Sequence, residues 1–65
     1  MKIKINGELQ EIPEGLSVRA MLDHLGMNGG RVAIERNLEI LPRSEWTTPV
    51  RDNDSFEIVH FVGGG

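Results

Sequence analysis

The sequence predicts an α+β domain of two layers, a mixed sheet of four to five strands packed on one main helix. Three observations lead there. Met1, Ile3 and Ile5 alternate with Lys2 and Lys4 and run into Asn6-Gly7. Val18, Met21, Leu22 and Leu25 recur at helical spacing. Three further short apolar stretches, punctuated by Pro, Asn and Asp, fill the second half of a 65-residue chain.

The alternation at residues 1–5 is the period-2 pattern of a half-buried strand. Asn-Gly suits the positive φ angles of a type I′ turn, so residues 8–12 return as a second strand, with Leu9 as a core candidate. Pro13-Glu14-Gly15 ends the hairpin. Ser17 is placed to cap a helix, because its hydroxyl can accept from a backbone N–H of the first turn. Leu16 and Met21 have the spacing of a hydrophobic staple. On that helix Arg19, Asp23 and His24 face water, and Gly26 ends it in the left-handed conformation. Asn28-Gly29-Gly30 forms a loop, and Val32 and Ile34 alternate with polar or small residues in a third strand. Leu38, Ile40 and Leu41 are core or rim candidates around a short fourth strand that Pro42 closes. Ser44-Glu45-Trp46 reads as one turn of 3₁₀ helix, with Trp46 over one end of the core. Asp52-Asn53-Asp54 makes a turn, and residues 55–62 form the last strand. A hairpin, one helix and further strands make the β-grasp order, so residues 1–62 are expected to be the domain and residues 63–65 a flexible glycine tail.

Size and composition bound the function. A chain this short buries only about 60% of its unfolded surface, which leaves little volume for an enclosed substrate pocket beside a core. There is no cysteine, which excludes a disulfide framework, a thiolate metal site and a cysteine nucleophile. Ten acidic and seven basic side chains give a net charge of −3, which argues mildly against a nucleic-acid partner. Lys2 and Lys4 interrupt any signal-peptide pattern, and no apolar run approaches the roughly 20 residues that cross a bilayer. A soluble cytoplasmic protein is expected, with no membrane partner.

Catalytic side chains are not in evidence. No Ser/His/acid or Cys/His spacing and no phosphate-binding loop occur. His24 and His60 stand apart and read as surface residues rather than metal ligands. Attention falls on Gly63-Gly64-Gly65, which offers nothing to a core. It can be a frayed end or an expression remnant. It can also be a thin arm carrying an α-carboxylate into a narrow channel. Adenylated by a partner at the expense of ATP, that carboxylate would become open to attack by a sulfur nucleophile.

The whole chain resembles the ThiS family of sulfur carriers. The likeness rests on its length, the hairpin start, the helix at residues 18–25, the segment Asn37-x-x-Ile40-Leu41-Pro42-Arg43-x-x-Trp46, Asp52-Asn53-Asp54 and the end Val62-Gly63-Gly64-Gly65. Gly63 is a mild departure, standing where many relatives carry alanine. The resemblance implies a protein co-substrate rather than an enzyme, with no bound cofactor and no resident metal. Gly65 would be adenylated by an E1-like adenylyltransferase, ThiF, which consumes ATP. A sulfur donor such as a cysteine desulfurase would supply the thiocarboxylate, and the thiazole synthase ThiG would accept its sulfur. Gly63 and Gly64 would thread the partners' active sites. The resemblance also implies that the first and last strands pair in parallel at the sheet centre. Two other readings stay open: a sulfur carrier of the molybdopterin synthase type, and a ubiquitin-like modifier or binding module.

The last strand has two apolar parities, Phe56 with Ile58 and Val59 with Phe61. If the first pair faces the helix, Val59 and Phe61 lie on the open face and form a docking surface for the activating enzyme. The alternatives are that one of them packs under Trp46, or that the strand is buried on both faces. Arg43 is expected to pair with Glu45 or another acid, or to fix a loop carbonyl.

Overall fold

The structure is a computed structural model and describes residues 1–27 and 31–61. Its elements are β1 (Lys2–Ile5), β2 (Glu8–Glu11), α1 (Val18–His24), β3 (Arg31–Arg36), β4 (Glu39–Ile40), a 3₁₀ turn (Arg43–Glu45) and β5 (Ser55–Phe61). They form one five-stranded sheet in the order β2-β1-β5-β3-β4, with β1 and β5 parallel and the other pairs antiparallel. This is the β-grasp arrangement, with β5 in the middle of the sheet.

The N-terminal hairpin forms as its turn chemistry dictates. Asn6 and Gly7 take φ of 51° and 83°, the two positive values of a type I′ turn. The two-residue turn sets the register, with Ile3 opposite Gln10 and Lys4 opposite Leu9. Leu9 therefore shares the open face with Lys4 and is 64% exposed, against its expected place in the core. Ile12, paired with Met1 through both backbone bonds, is the buried apolar residue of that arm.

Helix α1 begins at Ser17, whose Oγ accepts from the Ala20 N–H at 3.1 Å. The N–H groups of Val18 and Arg19 are free of the helix ladder and donate to the carbonyls of Thr48 and Trp46. The loop that carries Trp46 is thereby tied to the first turn of the helix. Val18, Met21 and Leu22 are buried against Ile3, Ile5, Ile34, Phe56 and Ile58 of the sheet. Leu16 and Leu25 are half-buried at the margin of this core, and Gly26 leaves the helix at φ 71°. The loop expected at residues 28–30 lies outside the described residues.

Strand β5 is held on both sides by an asparagine. Asn6 Oδ1 accepts from the Ile58 N–H at 2.7 Å, and its Nδ2 donates to the Ile58 carbonyl at 3.2 Å. The side-chain amide thus continues the β1 ladder after the backbone has turned away. Asn37 does the same at the other flank, its Oδ1 accepting from the Ser55 N–H at 3.0 Å and its backbone N–H donating to the Ser55 carbonyl. Asn37 Nδ2 reaches Asp54 Oδ1, and Asp54 Oδ2 accepts from Arg36 at 2.8 Å and from the Arg51 N–H at 2.9 Å. Buried Asp54 is satisfied by three partners, so it secures the turn into β5 rather than standing ready for chemistry.

Asn37 and Leu38, at φ 50° and 72°, make a second two-residue hairpin turn between β3 and β4. A leucine at positive φ is unusual and costs about 1 kcal/mol. This turn lifts Leu38 to 92% exposure and places Ile40, opposite Glu35, on the open face at 79%, so neither takes the core or rim place expected of it. Leu41 is half-buried against the core. Trp46 closes the core end at 4% exposure, with its Nε1–H donating to the Leu41 carbonyl. Arg43 forms no ion pair with Glu45; its guanidinium lies 4.9 Å from the Trp46 ring centroid, and Arg19 lies 5.9 Å from the same ring. Cation–π attraction to a buried indole outweighs a solvated pair with a neighbouring acid.

Candidate functional site

Alternation along β5 divides the strand cleanly. Phe56 and Ile58 are buried under α1, whereas Glu57, Val59 and Phe61 point to the face that carries no helix. Val59 and Phe61 are 53% and 59% exposed, so neither packs under Trp46 and the strand is not buried on both sides. Pairing with β3 places Ala33 opposite Val59 and Arg31 opposite Phe61. With Ile40 from β4, Ala33, Val59 and Phe61 make an apolar patch spanning three strands, with Arg31 at its margin, the kind of surface that marks an interaction site.

The patch has a charged border. Glu35 and Glu57 face each other directly across β3 and β5, and among the described residues neither carboxylate has an ion-pair partner. Like charges in that position weaken a sheet by a few tenths to about 1 kcal/mol. The helix-covered side shows no comparable conflict.

The sequence-predicted site residues fall into two groups. Val59 and Phe61 are described and sit together on the open face. Gly63, Gly64 and Gly65 lie outside the described residues, as does Val62. Phe61, the last described residue, pairs with Arg31, the first residue of β3, at the margin of the patch. His24 and His60 are exposed, and no group of three or more metal-ligating side chains occurs among the described residues. No described helix is long and apolar enough to cross a membrane. Residue-by-residue reading missed Arg31, Ala33, Glu35, Ile40 and Glu57 as neighbours of the patch. Alternation marked each of them as sided, but only cross-strand register could bring them together.

Comparison with known proteins accords with this geometry. The ThiS family profile matches residues 3–65. A crystal structure of the thiamine biosynthesis protein ThiS from Geobacter metallireducens superposes with a TM-score of 0.83, at 33% identity and 100% coverage of both chains. A thiazole synthase from Paramagnetospirillum magneticum is 47% identical over 66 residues, covering 100% of this chain but 20% of that protein. The uncharacterized protein ycf40 of Porphyra purpurea is 42% identical, covering 93% of its own length. The chain thus spans about a fifth of the thiazole synthases it matches.

Proposed function

This chain belongs to the ThiS family, and on that premise we propose that it carries sulfur for thiazole formation in thiamine biosynthesis. The observation that carries the reading is the match of one small-carrier family across residues 3–65, a span that takes in both the β-grasp domain and the three glycines. The family is one of small carriers rather than enzymes, so the chemistry rests on the backbone of this chain and the side chains of others.

In the proposed cycle the Gly65 carboxylate attacks the α-phosphorus of ATP in an E1-like activating enzyme, and pyrophosphate leaves. The acyl-adenylate is an electrophile where the carboxylate was not. The persulfide sulfur of a donor such as a cysteine desulfurase adds to the carbonyl carbon and expels AMP, leaving an acyl disulfide. A thiol, such as that of free cysteine, then attacks the donor-side sulfur, so that the S–S bond breaks, the thiocarboxylate leaves and a disulfide remains on the donor side. Gly63 and Gly64 provide an arm without side chains that fits a narrow channel. Val59 and Phe61, exposed on the open face of β5, dock the activating enzyme. Thiazole synthase is the proposed acceptor. In two proteins of that name, a segment like this whole chain forms part of one longer polypeptide, which supports a physical association between the two activities.

Intact-mass analysis tests the cycle. The protein is incubated with ATP, the activating enzyme, a cysteine desulfurase and cysteine. An oxygen-to-sulfur mass shift confined to the C-terminal fragment is expected. Removal of Gly64 and Gly65 abolishes the shift and leaves the melting temperature nearly unchanged. Attachment of the chain to lysines of other proteins, with no such shift, would refute the carrier reading in favour of a modifier.

A further inference from the structure

A second surface lies at the outer edge of β3. Strand β4 pairs only with Glu35 and Arg36, and the last bond on that side runs from the Leu41 N–H to the Ile34 carbonyl at 2.8 Å. Pro42 then turns the chain out of the lane and into the 3₁₀ turn. Antiparallel alternation directs the Ile34 carbonyl outward, and it directs the Val32 N–H and carbonyl to the same side. Among the described residues no strand lies beside Arg31–Ala33 on that side.

This stretch of the β3 edge is a groove rather than a flat surface. A cavity of about 460 Å³ runs along it, bounded by Val32, Leu41, Pro42 and Trp46 and by the side chains of Arg31 and Arg43. Both charged residues that line it are arginines, and no acid does, in a chain whose net charge is −3. Arg43 is already oriented by the Trp46 ring, so little rotamer freedom is left to lose when it meets an anion. An unpaired strand edge calls for main-chain hydrogen bonds, an apolar trough for alternate side chains, and two guanidinium groups for carboxylates.

We propose that this groove binds an extended acidic peptide segment of a partner protein, which pairs with Arg31–Ala33 as a strand in line with β4. The peptide's backbone bonds Val32, its apolar side chains enter the trough against Leu41 and Trp46, and its acids meet Arg31 and Arg43. The groove meets the Val59 patch at Arg31, Ala33, Ile40 and Phe61 but is centred on the β4 side of β3, across that strand from Val59. It asks nothing of Gly65, so binding here and sulfur transfer can fail separately.

The test is an NMR titration of the isotopically labelled protein with a capped peptide of alternating glutamate and valine. Saturable shifts are expected at the Val32 amide and the Trp46 indole N–H, weakening at high salt. Arg31→Glu, on the exposed face and away from the core, is expected to weaken binding about tenfold or more, and Arg43→Glu to act in the same direction. Any of several results would overturn the proposal: equal binding of a lysine-valine peptide, no saturable shift at millimolar peptide, or perturbations centred on Val59 or the β2 edge. Concentration-dependent shifts without peptide would assign the groove to a second copy. Shifts at Val32 on removal of residues 62–65 would assign it to the chain's own C-terminal segment.

Discussion

The two faces of β5 come from one seven-residue stretch and have opposite fates. Phe56 and Ile58 are sealed against α1, while Glu57, Val59 and Phe61, of comparable apolar content, face outward beside a second carboxylate. One helix covers only one side of a sheet, so a chain of this length closes a single core and leaves the other side for a different use. The contrast separates residues retained for stability from residues whose presence stability does not explain. An outward phenylalanine and a pair of opposed glutamates belong to the second kind.

The largest effect is expected at the closed face. Phe56→Ala should cost about 3–5 kcal/mol by denaturant unfolding. That is a large share of the roughly 3–10 kcal/mol available to a domain of this size, so much of the variant should be unfolded at 37 °C. A milder result would mean that the core is divided differently from the burial seen here. On the open face, the double change Val59→Ala, Phe61→Ala should cost about 1 kcal/mol or less in stability. The same variant should slow adenylation of Gly65 by the activating enzyme, and unchanged kinetics in the folded protein would remove this patch from the docking surface. The smallest effect is expected from Glu57→Lys, which turns a repulsive pair with Glu35 into an attractive one. It should raise stability by about 0.2–1 kcal/mol, measured as a higher urea midpoint at unchanged slope.

Legibility in the sequence followed how local each instruction was. Asn6-Gly7 announced a hairpin because both residues tolerate positive φ, and the turn formed. Asn37-Leu38 forms the same turn with a residue that disfavours it, and Leu38 with Ile40 and Leu41 reads instead as a core or rim candidate. There the backbone is held by the Asn37 contacts to Ser55 and Asp54, eighteen and seventeen residues away in the chain, which outweigh local preference. Leu9 was misplaced for a related reason: composition suggested core, whereas the register fixed by the two-residue turn puts it opposite Lys4. The Pro42-Arg43-x-x-Trp46 segment was visible as a motif, but its role in stacking a guanidinium over the core lid was not.

By itself the sequence determined the α+β class, the helix with its Ser17 cap, the two apolar parities of β5 and the run of three glycines. These depend on residue type and on spacings within one element, where periodicity and capping act directly. Tertiary structure decided which residues meet: Ala33 and Ile40 beside Val59, Glu35 against Glu57, and Arg31 with Arg43 along an edge of β3 that no described strand pairs. Such juxtapositions come from pairing register between segments distant in the chain, and a shift of one residue would send every side chain to the other face.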